Sequence, residues 1–403
     1  MTKHLQKPDS KVFYVSSDEQ LETAINQLSS YEGALAVDTE RAGSFRYDDR
    51  AYLIQLKKPQ GPIYLIDPVE MTDDAMDELA YYMNNQEWIL HAATQDLPCL
   101  IELGMRPDTL FDTELAAQLL KLPKVGLAAL CKSLLNIELA KEYSNVDWSA
   151  RPLKTSWLIY AALDVELLNP LKEVLTEKLR EEGKWDYALE EFDALKNFVP
   201  PAPPVEPWRK MHGLGNLRTS RELAIARTIW GVRDKIAKSR DVAPFTLLKD
   251  RQIVTLAQEK PRSVPQVSEL LHWPASKDKQ AARWLGAIKQ GLRAKDLPAV
   301  RVKGSGMPSP SLWKERKEIQ YRRYKTAQLR LLARAEELNM PVANVLPPAI
   351  LKKVFWKSSK STDIVAALKE LGARDWQIEQ TSKILEDALH SPMTIADIEA
   401  ATS

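Results

Sequence analysis

The sequence predicts an α/β layer fold in the first half of the chain, followed by all-α domains. In the first 197 residues, short apolar or alternating runs are followed by longer amphipathic stretches, the order expected of strands and helices. The second half has no run that is typical of a strand, and helical periodicity covers residues 221–240 and 325–338. Proline-rich breaks divide the chain, so we expect three units.

The α/β prediction depends on short runs that are apolar throughout or alternate between apolar and polar residues. Each is of strand length, and the stretches between them are long enough for helices. The expected strands are residues 11–15 (KVFYV), 34–38 (ALAVD), 52–56 (YLIQL), 63–67 (IYLID) and 88–91 (WILH).

Two breaks set the predicted boundaries. Residues 198–207, FVPPAPPVEP, contain five prolines in ten positions, which excludes a helix and is typical of a stiff linker. Residues 297–311 mix proline, glycine and serine. Residues 237–256 also align weakly with residues 335–354, which suggests a repeated helical module. The predicted organisation is a first unit at 1–197, a linker at 198–207, helical units at 208–296 and 312–403, and a linker at 297–311 between them.

Composition limits the class of protein. With 403 residues, 44% hydrophobic and 28% charged, the chain is expected to be a soluble multidomain protein. No apolar run approaches the length of a membrane span, and the N-terminus lacks the basic-then-apolar order of a secretory signal. Cys99 and Cys131 have no partner spacing for zinc or redox chemistry, so we expect two core thiols in a cytoplasmic protein without a membrane partner.

The net charge of +1 conceals a strong asymmetry between the two halves. Residues 1–197 contain 20 Lys and Arg against 34 Asp and Glu, whereas residues 198–403 contain 36 against 21. A folded basic half suits contact with a polyanion, and an acidic half can hold divalent cations. The alternative is that surface charge simply differs between the domains.

Three places in the first unit have chemically suggestive residues. Asp38 and Glu40 end an apolar run, and alternation along a strand points both carboxylates to one side. Asp96 follows the WILH run at the start of the next helix, where it could simply favour the helix dipole. Tyr160 and Asp164 are four residues apart and share a helix face, although such a tyrosine is usually a core residue.

In order, these segments resemble the three exonuclease motifs of the DEDD superfamily, in its tyrosine subgroup. The residues around them, DTE, YLIQL, LIDP, HAATQDL, FDTELAAQLL, DWSARPL and YAALDV, resemble ribonuclease D over about residues 12–195. The second unit resembles the HRDC module of that family, and the third resembles a divergent module of the same kind. The resemblance implies a ribonuclease H-like domain, a mixed sheet flanked by helices, followed by HRDC-type helical domains.

The same resemblance implies a two-metal site with Mg²⁺ or Mn²⁺, the cations that oxygen ligands favour. Asp38 would bridge both ions, Glu40 and Asp164 would complete the first site, and Asp96 would anchor the second. Tyr160 would orient or deprotonate the attacking water. The expected catalytic set is therefore Asp38, Glu40, Asp96, Tyr160 and Asp164, of which the four carboxylates are the metal ligands.

Three functions are open at this stage. The resemblance implies a 3′→5′ exoribonuclease, acting as a monomer on the 3′ ends of tRNA precursors or other structured RNA. The same motifs serve DNA exonucleases in repair, so single-stranded DNA is an alternative substrate. A non-catalytic nucleic-acid-binding scaffold is the third possibility, and the complete set of carboxylates argues against it.

Further residues are candidates for contacts with the nucleic acid. Around the site these are Arg41, Arg46, Tyr47, Trp148 and Arg151, each of which could instead be a surface or packing residue, while Asp112 and Thr113 are expected to be helix N-caps. In the helical half, basic residues interleave with aromatics, a composition that suits phosphate contact and base stacking but also occurs on solvated helix faces. These are Arg218, Arg221, Arg227, Trp230, Arg233, Lys235, Lys238, Arg240, Arg316, Lys317, Tyr321, Arg322, Arg323, Tyr324 and Lys325.

Overall fold

The computed structural model of the chain describes residues 2–140, 146–300 and 307–402. Part of the predicted second linker, residues 301–306, lies outside the described residues, as do residues 1, 141–145 and 403 of the predicted first and third units. Among the described residues, no helix has the length and apolarity that crossing a bilayer requires.

The first unit is built on a six-stranded mixed sheet with the strand order β2-β5-β4-β3-β6-β7. Strands β2 and β5 pair in parallel, β4 is antiparallel to both β5 and β3, and β6 pairs in parallel with β3 and β7. A separate parallel pair joins β1 to β8. The strands are β1 Lys3–Leu5, β2 Val12–Val15, β3 Leu35–Arg41, β4 Ala51–Lys57, β5 Ile63–Ile66, β6 Glu87–Leu90, β7 Thr109–Asp112 and β8 Ile137–Leu139.

All five runs expected to be strands are strands of the main sheet. The sequence did not predict β7, which lies at one edge of the main sheet, or the short pair β1 and β8. Strands β1 and β8 have only three residues each, too few to show the alternation by which a strand is recognised.

Helices cover both faces of the sheet, which confirms the expected α/β architecture. Alternate residues along each strand enter two separate apolar clusters, one of which includes α6 and α7 and the other α1, α2 and α3. Ser17 and Thr72 cap α1 and α2 in the way that their sequences favour. The helices are α1 Asp18–Leu28, α2 Asp73–Asn84, α3 Leu97–Glu102, α4 Thr113–Leu119, α5 Leu127–Leu134, α6 Thr155–Glu166, α7 Leu168–Glu181 and α8 Trp185–Lys196.

The described residues of the second half contain helices and no strand. The middle unit has a long helix (α9), a very short helix (α10) and a helix of intermediate length (α11) in succession. The same succession recurs in the C-terminal unit as α15, α16 and α17, in agreement with the weak internal repeat. These helices are α9 Ser220–Arg240, α10 Pro244–Leu247, α11 Asp250–Glu259, α12 Val264–Leu271, α13 Asp278–Arg293, α14 Trp313–Arg316, α15 Glu318–Glu337, α16 Val342–Val345, α17 Pro348–Trp356, α18 Ile364–Glu370, α19 Asp375–His390 and α20 Ile395–Thr402.

The helical units pack differently from what the two proline-rich breaks suggest. The middle unit has its own apolar core, from Trp208 to Ile288. The C-terminal unit instead shares one continuous core with the first unit. At their junction Trp376 stacks on Tyr187 with ring centroids 4.6 Å apart, and its indole N–H donates to the buried Glu191 at 3.1 Å. The breaks therefore do not separate three independent cores.

Candidate active site

Two carboxylates project from the end of β3. In the antiparallel pair with β4, Asp38 lies opposite Gln55 and Glu40 lies opposite Leu53. Because side chains alternate along a strand, Asp38 and Glu40 lie on one face of the sheet and Thr39 on the other. The register becomes irregular between Glu40 and Arg41, where β3 leaves the regular ladder.

A third carboxylate comes from α6, which packs across β3, β4 and β5. Its small buried residues Ala161 and Ala162 allow the helix to lie close to the sheet. Asp38, Glu40 and Asp164 each offer a carboxylate oxygen, and these oxygens lie within 4.8 Å of one another. Three of the four expected ligands are therefore together.

The fourth expected ligand, Asp96, is tied to β3 from the other side. The hydroxyl of Thr39 donates to Asp96 Oδ1 at 2.6 Å, and Asp96 is almost fully buried. Asp96 is outside the compact group of three carboxylates, but it is linked through one side chain to the residue between Asp38 and Glu40. Of the four expected metal ligands, three therefore form a compact group, and the fourth, Asp96, is connected to that group through Thr39.

Asp96 depends on a turn that Asp112 holds. Ala92 adopts a left-handed conformation with φ 60°, which starts the single turn of 3₁₀ helix before Asp96. The backbone N–H groups of Ala92 and Ala93 donate to the two carboxylate oxygens of Asp112, at 3.2 and 2.7 Å. Asp112 also caps α4, as predicted, whereas Thr113 is the first helical residue and not the cap. The sequence did not reveal this second role of Asp112.

Tyr160 lies one helical turn before Asp164, as the four-residue spacing predicts. The tyrosine is half-buried, and its hydroxyl forms a hydrogen bond with Asp164. Burial and the nearby carboxylates raise the pKa of Tyr160 well above that of a free phenol. In the metal-free site this hydroxyl is therefore neutral and able to donate a hydrogen bond.

Burial and mutual repulsion make this group of carboxylates resist ionisation. Burial first, and the neighbouring acids second, raise the pKa values of Asp38 and Glu40 well above normal. The same two causes raise the pKa of Asp164 to about 7, and burial raises that of Asp96 to about 6. Divalent cations relieve the repulsion, and an all-oxygen donor set suits Mg²⁺ or Mn²⁺, so these residues fit a metal centre.

We expect this repulsion to destabilise the metal-free protein as the pH rises. An unfolded Asp has a pKa of about 3.9, and the folded-state pKa of Asp164 is higher, about 7. Between these two pKa values the folded protein holds a proton that the unfolded protein has lost. The free energy of unfolding is therefore highest at a pH below the unfolded-state pKa, and it decreases as the pH rises through the folded-state pKa. The Tm of EDTA-treated protein should fall between pH 5 and pH 8, and Mg²⁺ should restore more of it at pH 8.

The matched control for this prediction is Asp164→Asn, which is uncharged at every pH. Its Tm should exceed that of the metal-free wild type by a margin that grows from pH 5 to pH 8. Parallel Tm curves for the two proteins would contradict the assignment of a raised pKa to Asp164.

An open cleft of about 530 Å³ adjoins the carboxylates. Thr39, Glu40 and Arg41 at the end of β3 line it, together with most of the segment that follows, residues 42–49. Val146, in the segment that leads into α6, lines the cleft as well. A strand of nucleic acid could therefore reach the carboxylates from this side.

The candidate helper residues around the site have mostly structural partners. Arg41 pairs with Asp49 at 3.2 Å, and its charge partly offsets the rise that burial causes in the pKa values of Glu40 and Asp96. Trp148 is buried against Trp157, which supports the packing role over base stacking. Arg151 donates to the fully buried Asp67 and to three backbone carbonyl groups, so it anchors the segment before α6. Arg46 and Tyr47 contact the middle helical unit.

Several of the basic and aromatic residues assigned to nucleic-acid contact are engaged inside the protein instead. Arg233 and Arg323 are buried, and the guanidinium group of each donates a hydrogen bond to a backbone carbonyl inside its own helical unit. Arg227 pairs with Asp296 at 2.9 Å, and Tyr324 is buried. For the buried Arg233, Arg323 and Tyr324 the prediction of a binding surface was wrong, whereas for the partly buried Arg227 it stays a prediction. The members that remain exposed are Arg218, Lys235, Lys238, Arg240 and Arg316.

Three protein-family models match the chain. The model described as "3'-5' exonuclease" matches residues 12–180, and the HRDC domain matches residues 222–288. The model described as "3' to 5' exonuclease C-terminal domain" matches residues 306–389. The matches follow the order of the first, middle and C-terminal units.

Individual proteins show the same similarity. Ribonuclease D of Cronobacter turicensis is 31% identical over 250 residues, which are 61% of this chain and 67% of that protein. A crystal structure of a protein from Bifidobacterium adolescentis, 31% identical, covers 97% of this chain and all of its own with a TM-score of 0.84. Ribonuclease D of Escherichia coli has the same fold, with a TM-score of 0.66 at 22% identity over 95% of this chain and all of its own.

Proposed function

The chain belongs to the ribonuclease D family, and on that premise we propose that it trims the 3′ ends of structured RNA, such as tRNA precursors, at a two-metal site. It is a 3′→5′ exoribonuclease with an HRDC domain. The observation that supports the proposed site is the group of three carboxylates, Asp38, Glu40 and Asp164, of which Glu40 lines an open cleft.

In the proposed site, two Mg²⁺ or Mn²⁺ ions supply an activated nucleophile and neutralise charge at phosphorus when bound. Asp38, whose carboxylate lies within 4.8 Å of those of Glu40 and Asp164, would hold both ions. Glu40 and Asp164 would complete one position, and Asp96, on the far side of Thr39, would anchor the other. All of these ligands come from elements fixed by the sheet or by α6, so their positions are largely set before substrate arrives.

Tyr160 would then act on the water that attacks the phosphodiester. Its hydroxyl is held by Asp164 and lies among the carboxylates that raise its pKa. A neutral hydroxyl in that position can orient a water molecule by a hydrogen bond, and this is the role we assign to it.

The exposed basic residues of α9 would hold the RNA outside the cleft. The middle unit, residues 208–296, has 19 Lys and Arg against eight Asp and Glu, the reverse of the acidic balance in residues 1–197. Phosphate contacts from such a surface offset the repulsion between an acidic unit and a polyanion. We further propose that the protein works as a monomer in the cytoplasm, where its two buried thiols stay reduced.

A direct test compares RNA and DNA strands of the same sequence, each with a 3′ single-stranded tail, in Mg²⁺ and in Mn²⁺. We expect nucleotide release from the 3′ end of RNA, with slower release from DNA. Equal or faster hydrolysis of DNA would favour the repair exonuclease, and no hydrolysis of either strand with stable binding would favour a scaffold.

The same strands test the basic surface. In the triple variant Lys235→Gln, Lys238→Gln and Arg240→Gln, the slope of log affinity against log salt should become shallower by roughly 0.7 to 0.9 for each phosphate group that the protein no longer binds. The matched control removes three exposed lysines of the acidic unit, Lys7, Lys11 and Lys124. If both triples behave like the wild type, α9 does not bind RNA through these residues.

A further inference from the structure

The segment between β3 and β4, residues 42–50, which we call the cleft loop, leaves β3 directly behind the metal-ligand candidates. Glu40 and the first residues of the cleft loop line the same cleft. The N–H groups of Phe45 and Arg46 both donate to the carbonyl of Ala42, at 2.7 and 2.8 Å, and close a tight turn. No regular secondary structure fixes the cleft loop, so its shape depends on what surrounds it.

The main support of the cleft loop comes from another domain, at the corner between α9 and α10. The backbone N–H of Tyr47 donates to Asp241 Oδ1 at 3.2 Å, and the Tyr47 hydroxyl donates to Asp234 Oδ1 at 3.0 Å. The N–H of Ala243 donates to the carbonyl of Phe45 at 3.0 Å. Three hydrogen bonds therefore join the HRDC unit to Phe45 and Tyr47 of the cleft loop.

The same corner connects through Arg46 to the segment that leads into α6. Its Nε donates to Ser149 Oγ at 2.6 Å, in the segment that leads into α6. Its Nη1 lies 3.8 Å from the carboxylate of Asp241. Arg46 thus joins the corner of the HRDC unit, the cleft loop and the entrance of the helix that bears Tyr160 and Asp164.

The two residues of the HRDC unit whose side chains contact the cleft loop are acidic, although the unit as a whole is basic. Only eight residues of the middle unit are acidic, against 19 that are basic, yet Asp234 and Asp241 both face the cleft loop. Asp234 lies on α9, and Asp241 is the C-cap residue that ends the same helix seven residues later. Carboxylates beside a nucleic-acid cleft repel phosphate, so a surface made only for RNA would exclude them.

We propose that the corner between α9 and α10 is a structural part of the nuclease cleft, with Asp234 and Asp241 as positioning residues for the cleft loop. The inference rests on the proposed function of this cleft and assigns the HRDC unit a role in turnover besides any grip on RNA. Through their contacts with the cleft loop and Arg46, the two acids fix the position of the C-terminal end of β3 relative to the segment that leads into α6.

The test is a double variant, Asp234→Ala with Asp241→Gly, assayed on a ribotrinucleotide. Asp241 has φ 47°, which glycine adopts without strain, so the change removes the side chain and keeps the helix end. Misplacement of reacting groups by about 1 Å costs on the order of 10²-fold, and we expect kcat to fall roughly 10- to 100-fold with a smaller change in KM. A trinucleotide isolates the cleft, because it leaves little RNA for the exposed basic residues of α9.

Two single variants serve as controls. Asp241→Asn keeps the acceptor for Tyr47 N–H and tolerates the positive φ, so its kcat should stay close to that of the wild type. Asp296→Ala removes another acidic partner of an arginine, Arg227, elsewhere in the same unit and should leave kcat unchanged. Wild-type kcat on the trinucleotide for the double variant, with or without weaker binding of long RNA, would overturn the proposal.

Amide hydrogen exchange tests the same contacts without any activity. The Tyr47 amide should lose protection in the double variant, and protection should also fall at residues 147–149, while α12 and α13 stay protected. Unchanged exchange in the cleft loop would overturn the positioning role even in an active enzyme. If the wild type proved inactive on RNA, the proposed function would fail, and the exchange result would still decide whether the corner holds the loop.

Discussion

Asp38→Ala is expected to abolish RNA hydrolysis while leaving the fold and RNA binding nearly intact, and Asp164→Asn is expected to do the same. Each change removes an oxygen ligand from a group of three within 4.8 Å, and Asp38 is the residue that we propose to hold both cations. Each metal ion supplies several kcal/mol of transition-state stabilisation, so turnover should fall by roughly 10³-fold or more. The buried repulsion also decreases, so neither variant should be less stable than the metal-free wild type.

Three measurements check this prediction: 3′-end release under single-turnover conditions, Mn²⁺ binding by calorimetry, and RNA affinity in EDTA. Glu177→Gln is a matched control, because Glu177 is an exposed acid of the same unit, on α7. Turnover near that of the wild type in a folded Asp38→Ala protein would mean that the metal site has been assigned to the wrong residues.

Tyr160→Phe should slow hydrolysis by roughly 10²- to 10⁴-fold, the usual contribution of a group that orients or activates a nucleophile. The ring stays in place against Trp148, and only the hydroxyl that is bonded to Asp164 is removed. Metal affinity should change little, because the hydroxyl is not one of the proposed ligands. The loss should appear in kcat and not in KM.

Tyr187→Phe is the control for this change, since it also removes a half-buried tyrosine hydroxyl but lies on α8, where Gln380 is its partner. Its kcat should equal that of the wild type. A loss of less than tenfold for Tyr160→Phe would identify Tyr160 as a packing residue of α6.

Local periodicity was enough to predict much of the site. Alternation along a strand placed Asp38 and Glu40 on one face, and the four-residue helical repeat placed Tyr160 beside Asp164. Both relations depend only on neighbours in sequence. The order of strands and helices in the first unit followed from the same kind of information.

What the sequence could not predict depends on pairs that are far apart along the chain. Thr39 and Asp96 are separated by 57 residues, and Tyr47 and Asp241 by 194, so no local pattern connects them. Periodicity also cannot decide whether an arginine on an amphipathic helix faces solvent. Arg233 and Arg323 were assigned to a binding surface because the carbonyl groups that they bond inside the protein lie 15 and 66 residues away, too far along the chain to be recognised from the sequence.

The core shared between the first and C-terminal units has a consequence for how the protein is made. Tyr187 and Glu191 are synthesised early, but Trp376, which stacks on one and donates to the other, follows 185 residues after Glu191. At about 5–20 residues per second, the ribosome needs roughly 10–40 s to deliver it. During that interval α8 presents an apolar face and a carboxylate without their final cover. The core of the nuclease unit is therefore completed only when the C-terminal unit has been synthesised, and by then the HRDC unit has already left the ribosome.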